Sequence, residues 1–280
     1  MIVDLDRLTV RIPLKGGHVV HAATDVSLSL EKGRLHAVVG ESGCGKSTIA
    51  QAMTGLLPRT ANVTGSVRYR GESIFGREHV LHGRHVALIP QSASTFLTPV
   101  RTLGSQLRET VEALGGRVKP EELLSRVELD PSALMLYPHQ LSGGMAQRAA
   151  VAFALAGSPD VIIADEPTAA LDPLLTIALL QLLRHLASSG AAVMLITHDI
   201  AALIDTEVAD DLSVIYASRL VEQGKAAKLL AGGAQHLYTR DLIAALPRNG
   251  LKRMPGAPPT LTNLPEDYGY TKRLKQVGGR

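Results

Sequence analysis

Residues 40–48 read GESGCGKST, and Gly40-(x)4-Gly45-Lys46-Ser47 within them matches a phosphate-binding loop in full. Few folds accommodate that pattern. Its glycines turn consecutive backbone N–H groups inward as an anion nest, with a strand to deliver the loop and a helix to carry it away. Both are at hand: the apolar run LHAVVG (35–40) leads in, and STIAQAMTGLL follows. Lys46 can reach the β- and γ-phosphates of a nucleotide, and the Ser47 hydroxyl can ligate Mg²⁺. The helix N-terminus adds a favourable dipole. Gly40, Glu41, Ser42, Gly43, Cys44, Gly45, Lys46, Ser47 and Thr48 are therefore the candidate nucleotide-binding set. A chance glycine-rich turn would not sit between strand and helix in this way.

Such a cradle needs acids for its metal, and VIIADE (161–166) supplies them at the end of an apolar run. Asp165 is placed to hold Mg²⁺, and Glu166, one residue on, to polarise an attacking water as general base. Three further Val/Ile-rich runs, LHAVVG (35–40), HVALIP (85–90) and AVMLIT (192–197), have the same character. Strands apolar on both faces and separated by helical stretches predict a parallel α/β sheet. The N-terminal stretch and GSVRYRG (65–71) alternate more and read as antiparallel edge strands. Residues 211–223 read as a closing hairpin with Ser218 and Arg219 near its turn, and 101–137 as a mostly helical insert. Beyond about residue 247 the chain is proline-rich without apolar periodicity. That segment reads as an extended appendage, draped over a partner or partly disordered.

LSGGMAQR (141–148) lies between the two acidic and glycine-rich motifs. Here the chain resembles the ATP-binding subunit of ABC transporters, over roughly residues 1–246. The resemblance implies a P-loop NTPase of the ABC ATPase type: a mixed sheet with antiparallel edge strands, a helical subdomain at about 99–157, and a C-terminal extension at 247–280. It implies that Ser142, Gly143 and Gly144 form a signature loop that contacts the γ-phosphate of ATP on the opposite subunit. Gln91, after HVALIP, resembles the glutamine that senses Mg²⁺ and the attacking water. Ala170, Leu171 and Asp172 resemble the loop that crosses the dimer interface. His198 in LITHD resembles the switch histidine at the γ-phosphate. The catalytic set implied is thus Glu166, His198 and Gln91, with Ser47, Gln91 and Asp165 at the metal.

IPQSASTFLTP (89–99), YPHQLSGGMAQR (137–148) and PGAPPTLTNLP (255–265) are similar to the ATPases of oligopeptide, dipeptide and nickel importers. That implies an ATPase powering import of a small solute, foremost peptides or nickel and other metal chelates. The implied partners are two membrane-spanning permeases and a related ATPase subunit, as a heterodimer or a homodimer. An extracytoplasmic solute-binding protein would act indirectly, and the site of action would be the cytoplasmic face of the membrane. A soluble ABC ATPase module in a non-transport complex is the alternative. A DNA-repair type is disfavoured, because no long coiled-coil insertion separates the P-loop from the signature.

Composition trims the field further. A net charge of +3 over 280 residues gives no case for nucleic acid. No apolar run approaches the ~20 residues that span a bilayer, and the N-terminus, broken by Asp4, Asp6 and Arg7, lacks a signal-peptide core. Cys44 is the single cysteine, so no intrachain disulfide can form and no iron–sulfur cluster is expected, although many members of the subfamily carry cysteines after the proline-rich segment. As a loop thiol at a helix N-terminus Cys44 invites a redox reading, and a small loop-fitting residue is preferred. No aromatic precedes Tyr69 to stack on adenine; His18 or His21 could substitute, or apolar contact could hold the base. Ser92 and Ala93 stand where the subfamily more often has aspartate and proline. His79, His82 and His85 have the wrong spacing for a dedicated tetrahedral metal site and read as a polar segment before a strand. The basic tail (Lys272, Arg273, Lys275, Arg280) reads as solvated, with anionic lipid as the other option.

Overall fold

Two sheets organise the chain, in a computed structural model that describes residues 1–76, 81–92, 96–169, 171–250 and 252–278. His79, Ala93, Ala170 and Arg280 lie outside the described residues. In the first sheet β1 (Val3–Pro13) pairs antiparallel with β2 (Val19–Leu30) and with β4 (Asn62–Tyr69), which turns into β5 (Glu72–Ser73). In the second, β3 (Leu35–Val39), β6 (Val86–Ile89), β7 (Val161–Asp165), β8 (Ala192–Thr197) and β9 (Asp211–Tyr216) run parallel. The hairpin partner β10 (Arg219–Lys225) closes one edge antiparallel, giving the order β10-β9-β3-β8-β7-β6. The antiparallel strands expected at an edge are thus of two kinds: one edge strand, and a sheet of their own.

Alternation along the central strands decides the layering. Val38, Ile163, Met194, Ile196 and Ile215 face one core with β1, β2 and α1 (Lys46–Thr54). Their neighbours Ala37, Val39, Ile162, Val193, Leu195 and Val214 face the other. That second core receives α2 (Leu103–Ala113), α3 (Pro120–Arg126), α4 (Gly143–Leu155), α5 (Pro173–Ser188) and α6 (Ile200–Thr206). Burial on both faces is why these runs are apolar throughout, each Val, Leu or Ile contributing about 1.5–3 kcal/mol when fully buried. Sequence places the helix starts: Thr102, Ser142 and Asp172 accept backbone N–H groups as N-caps of α2, α4 and α5.

One polar knot ties the layers together. Asp160, at the foot of β7, accepts from Lys32, from the Tyr69 hydroxyl at 2.5 Å and from Arg70 at 2.8 Å. Partial burial works against its charge, but these donors outweigh it and hold the carboxyl down to about 2. The stability it contributes is therefore full above its ordinary range near 4 and is lost as pH falls towards 2. Asp160→Asn should lower unfolding stability by at most about 2 kcal/mol at pH 7. The gap between wild type and variant, measured in urea, should close between pH 4 and pH 2. A gap that is the same at both pH values rules out the ionised carboxylate as its source.

The C-terminal segment departs most from expectation. Residues 247–280 read as an appendage, yet 252–278 fold back on the chain. His21 N donates to Leu261 O at 2.9 Å and Asn263 N to Val19 O at 2.8 Å, so 261–263 line the free edge of β2. Then α8 (Tyr270–Gly278), next in order after α7 (Leu237–Ala244), buries Arg273 to 1 % exposure. The reason is tertiary: the segment packs on a cluster of Tyr216, Tyr238, Tyr268 and Tyr270 and pairs Arg273 with the half-buried Glu41, none of which produces a helical apolar period.

Candidate functional site

The cradle is built from below. Gly45 has φ 105°, and a Cβ there would stand 2.2 Å from Ala22 O, so only glycine fits between the loop and β2. Gly40 is closed in the same way, by Ile215 O at 2.2 Å. Beneath the loop sits the turn of the β9–β10 hairpin. Ala217 and Ser218 both have positive φ, and buried Ser218 donates from its N to Cys44 O, accepts from Thr24 N and shares a hydroxyl bond with Thr24. Those bonds hold a turn that otherwise favours glycine or asparagine. Cys44 packs into the core, and burial pushes its thiol up, contrary to the lowered value a reactive thiol needs.

Ser42, Gly43, Gly45, Lys46, Ser47 and Thr48 line a cleft of about 380 Å³ together with Gln91, Glu166 and His198. Four elements converge there: the loop before α1, and the C-terminal ends of β6, β7 and β8. Lys46 Nζ donates to Gly40 O at 2.9 Å and lies 3.6 Å from Glu166 Oε1. Ser47 Oγ donates to Asp165 Oδ1 at 3.1 Å. Burial, together with the charge of Glu166, pushes the Asp165 carboxyl up although Ser47 opposes it. A hydroxyl beside an under-compensated carboxylate is the hard oxygen set that a magnesium ion takes, so the residues fit that ion.

Glu166 and His198 are paired, which their spacing does not reveal. His198 Nδ1 is 2.6 Å from Glu166 Oε2, and His198 N donates to the same oxygen at 3.3 Å. With Nδ1 engaged by a carboxylate, Nε2 is the ring nitrogen left for a ligand. Glu166 itself is 8 % exposed and sits at φ 48°, a conformation costly for a long side chain and pinned here by Glu166 N donating to Ile196 O at 2.9 Å. The arrangement can steer a proton away from a water and stabilise negative charge next to it.

Other expected site residues stand elsewhere. Glu41 belongs to the loop but does not line the cleft: its carboxylate accepts both arms of the Arg273 guanidinium, at 2.6 and 3.0 Å. Gly40 and Cys44 are likewise structural parts of the loop rather than cleft wall. Ser142, Gly143, Gly144 and Asp172 do not reach their own chain's cleft. Ser142 and Asp172 cap α4 and α5 with their side chains, and Gly144 packs on Leu175. Gly143 is exposed, with nothing within 4 Å of where a Cβ would point.

Neither His18 nor His21 is among the described residues lining the cleft. His18 pairs with the Asn263 side chain at 2.7 Å instead. The wall beyond the phosphate loop is apolar: Ile12, Val20, Ala22 and, from the C-terminal segment, Leu261. Sequence reasoning missed these four. The one available signal was the short alternation TLTNL at 260–264, too brief to read as a strand. Among the described residues no histidine, cysteine or acid cluster suits a metal, and no helix is long and apolar enough to cross a membrane.

Comparison with known proteins finds relatives by sequence and by fold. The profile of a family described as "ABC transporter" matches residues 23–169. The chain is 34 % identical to the probable D,D-dipeptide transport ATP-binding protein DdpD of Escherichia coli K12, covering all of this chain and 90 % of that one. It is 37 % identical to the oligopeptide transport ATP-binding protein OppD of Lactococcus lactis subsp. cremoris, covering 90 % and 79 %. Among solved structures, the dimeric bacterial ABC transporter cassette MJ0796 superposes with a TM-score of 0.68 at 25 % identity, over 80 % of this chain and 99 % of that one. The same cassette in a post-hydrolysis dimer with ADP and Pi gives 0.66 at 26 % identity, over the same shares of the two chains.

Proposed function

This chain belongs to the ABC transporter family, and we propose that it is the ATP-hydrolysing subunit of an importer of peptides. Residues 1–246 form the ATPase, with a helical subdomain at about 99–157, and 247–280 its extension. One observation carries the reading. A single cleft holds Lys46, Ser47, Glu166 and His198, while the expected signature residues stand outside it, as a half-site that a second subunit completes. The dimeric cassettes among its structural relatives support that assembly. Names of the relatives favour peptides over nickel chelates.

Each residue has a task in phosphoryl transfer to water, which is mostly positioning and charge stabilisation. The loop's backbone N–H groups and Lys46 Nζ bind the β- and γ-phosphates. Ser47, Asp165 and Gln91 would hold Mg²⁺, which when bound neutralises phosphate charge. The Glu166 carboxylate orients the attacking water and receives its proton. His198, fixed through Nδ1, presents Nε2 to the γ-phosphate. Ser142 and Gly143, with the N-terminus of α4, meet the γ-phosphate of the opposite subunit.

Exposed apolar side chains support a membrane partner. Phe96 and Val100, a few residues after Gln91, and Met135 and Tyr137 farther along are exposed. Leu103 N donates to Leu136 O, which joins the two segments that bear them. A permease docking there would feel any shift of Gln91, and the chain would work at the cytoplasmic face of the membrane. Purification of the tagged chain from native membranes in mild detergent should yield two permeases and a related or identical ATPase. Recovery only from the cytosol, with soluble partners, would overturn the transport reading in favour of a soluble module.

A further inference from the structure

The wall opposite the phosphate loop is completed by a residue that lies more than two hundred positions downstream of it. Leu261 is half-buried and lines the cleft beside Ile12 and Val20, which are half-buried as well. All three keep apolar surface towards the opening. Leu261 cannot drift, because its carbonyl accepts His21 N at 2.9 Å. Asn263, two residues on, clasps Val19 through both its N and its Oδ1, at 2.8 and 2.9 Å. Farther along, the Arg273–Glu41 pair fastens the same segment to the phosphate loop itself.

We propose that Leu261 is a base-contacting residue: the purine of the bound nucleotide lies on an apolar surface made by Leu261, Ile12 and Val20. The C-terminal segment thereby serves where an N-terminal aromatic ring is missing. This rests on the nucleotide-binding reading of the cleft and adds the source of its base recognition. The three side chains offer the base no hydrogen-bond donor or acceptor, so the wall favours a flat apolar ring face over any particular edge. ATP and GTP should then bind within about tenfold of one another, since discrimination by apolar contact alone is weak.

The test compares Mg–ATP, Mg–GTP and Mg–tripolyphosphate by calorimetric titration of the full chain. Leu261→Ala should weaken both nucleotides about five- to tenfold, the loss of part of one apolar side chain, and leave tripolyphosphate unchanged. Leu261→Phe should bind ATP at least as tightly as wild type. Unchanged ATP affinity in a folded Leu261→Ala overturns the inference. So does an equal loss for tripolyphosphate, which would route the effect through the phosphate loop. If Leu261→Ala does not fold, Leu261→Phe decides: a tenfold loss with intact tripolyphosphate affinity sinks the stacking role. Lys46→Ala separates the two levels. Wild type that binds neither ATP nor tripolyphosphate, or binding indifferent to Lys46, overturns the nucleotide reading itself.

Discussion

Glu166→Gln should bind Mg–ATP within a few-fold of wild type and hydrolyse it about 10²- to 10⁴-fold more slowly, the usual contribution of a positioned general base. The amide keeps the size of the carboxylate and one acceptor oxygen for His198 N, so the cleft retains its shape. What it loses is the basicity of the carboxylate that His198 Nδ1 and N hold through one oxygen. It also removes the negative charge 3.6 Å from Lys46, which favours an anionic ligand if anything. Binding and turnover therefore separate, and the uncleaved nucleotide should hold two subunits together. Gel filtration with and without Mg–ATP would show a dimer that persists in the variant. Turnover within tenfold of wild type would falsify the base role.

Glu41→Ala should cost about 3–5 kcal/mol of unfolding stability, the usual penalty for removing one partner of a buried ion pair. Arg273 is 1 % exposed, and its pKa is raised because Glu41 outweighs the opposing effect of burial. It also donates to Pro255 O and Gly256 O, at 2.6 and 3.1 Å, and lies over the rings of Tyr216 and Tyr270. Those carbonyls and rings cannot replace a full counter-charge. The reverse change, Arg273→Met, should cost less, since the Glu41 side chain is 18 % exposed and retains some access to water. The double variant should then recover part of the loss, a coupling that chemical denaturation of all four forms measures. Strictly additive losses, or a larger penalty for Arg273→Met, contradict the account.

The central sheet was legible because its strands are buried on both faces, which leaves unbroken runs such as DVIIAD and AVMLIT. The phosphate loop was legible because close approach of Ala22 O and Ile215 O admits only glycine at positions 45 and 40. Other features depend on distant partners and leave no local pattern. The Glu166–His198 pair forms across adjacent strands, and nothing in either motif requires a 2.6 Å contact. Arg273 reads as a solvated charge in a basic tail, because its burial is decided by Glu41, 232 positions earlier. Leu261 is hidden for the same reason: an apolar residue among threonines acquires meaning only when the edge of β2 lies beside it. The loop end of the cleft thus leaves a local pattern in the sequence, and its apolar wall at Leu261 does not.

The open position of Gly143 bears on how the activity is controlled. If two subunits complete each other's sites as proposed, a chain that carries the cradle in one place and its cap in another cannot finish a catalytic cycle by itself. Its rate in solution should rise with the product of the two subunit concentrations, not in proportion to either. Dilution therefore silences it faster than it depletes it. In the proposed importer, copies adrift from the membrane would idle and copies gathered on a permease pair would be active, with no inhibitor needed to tell them apart.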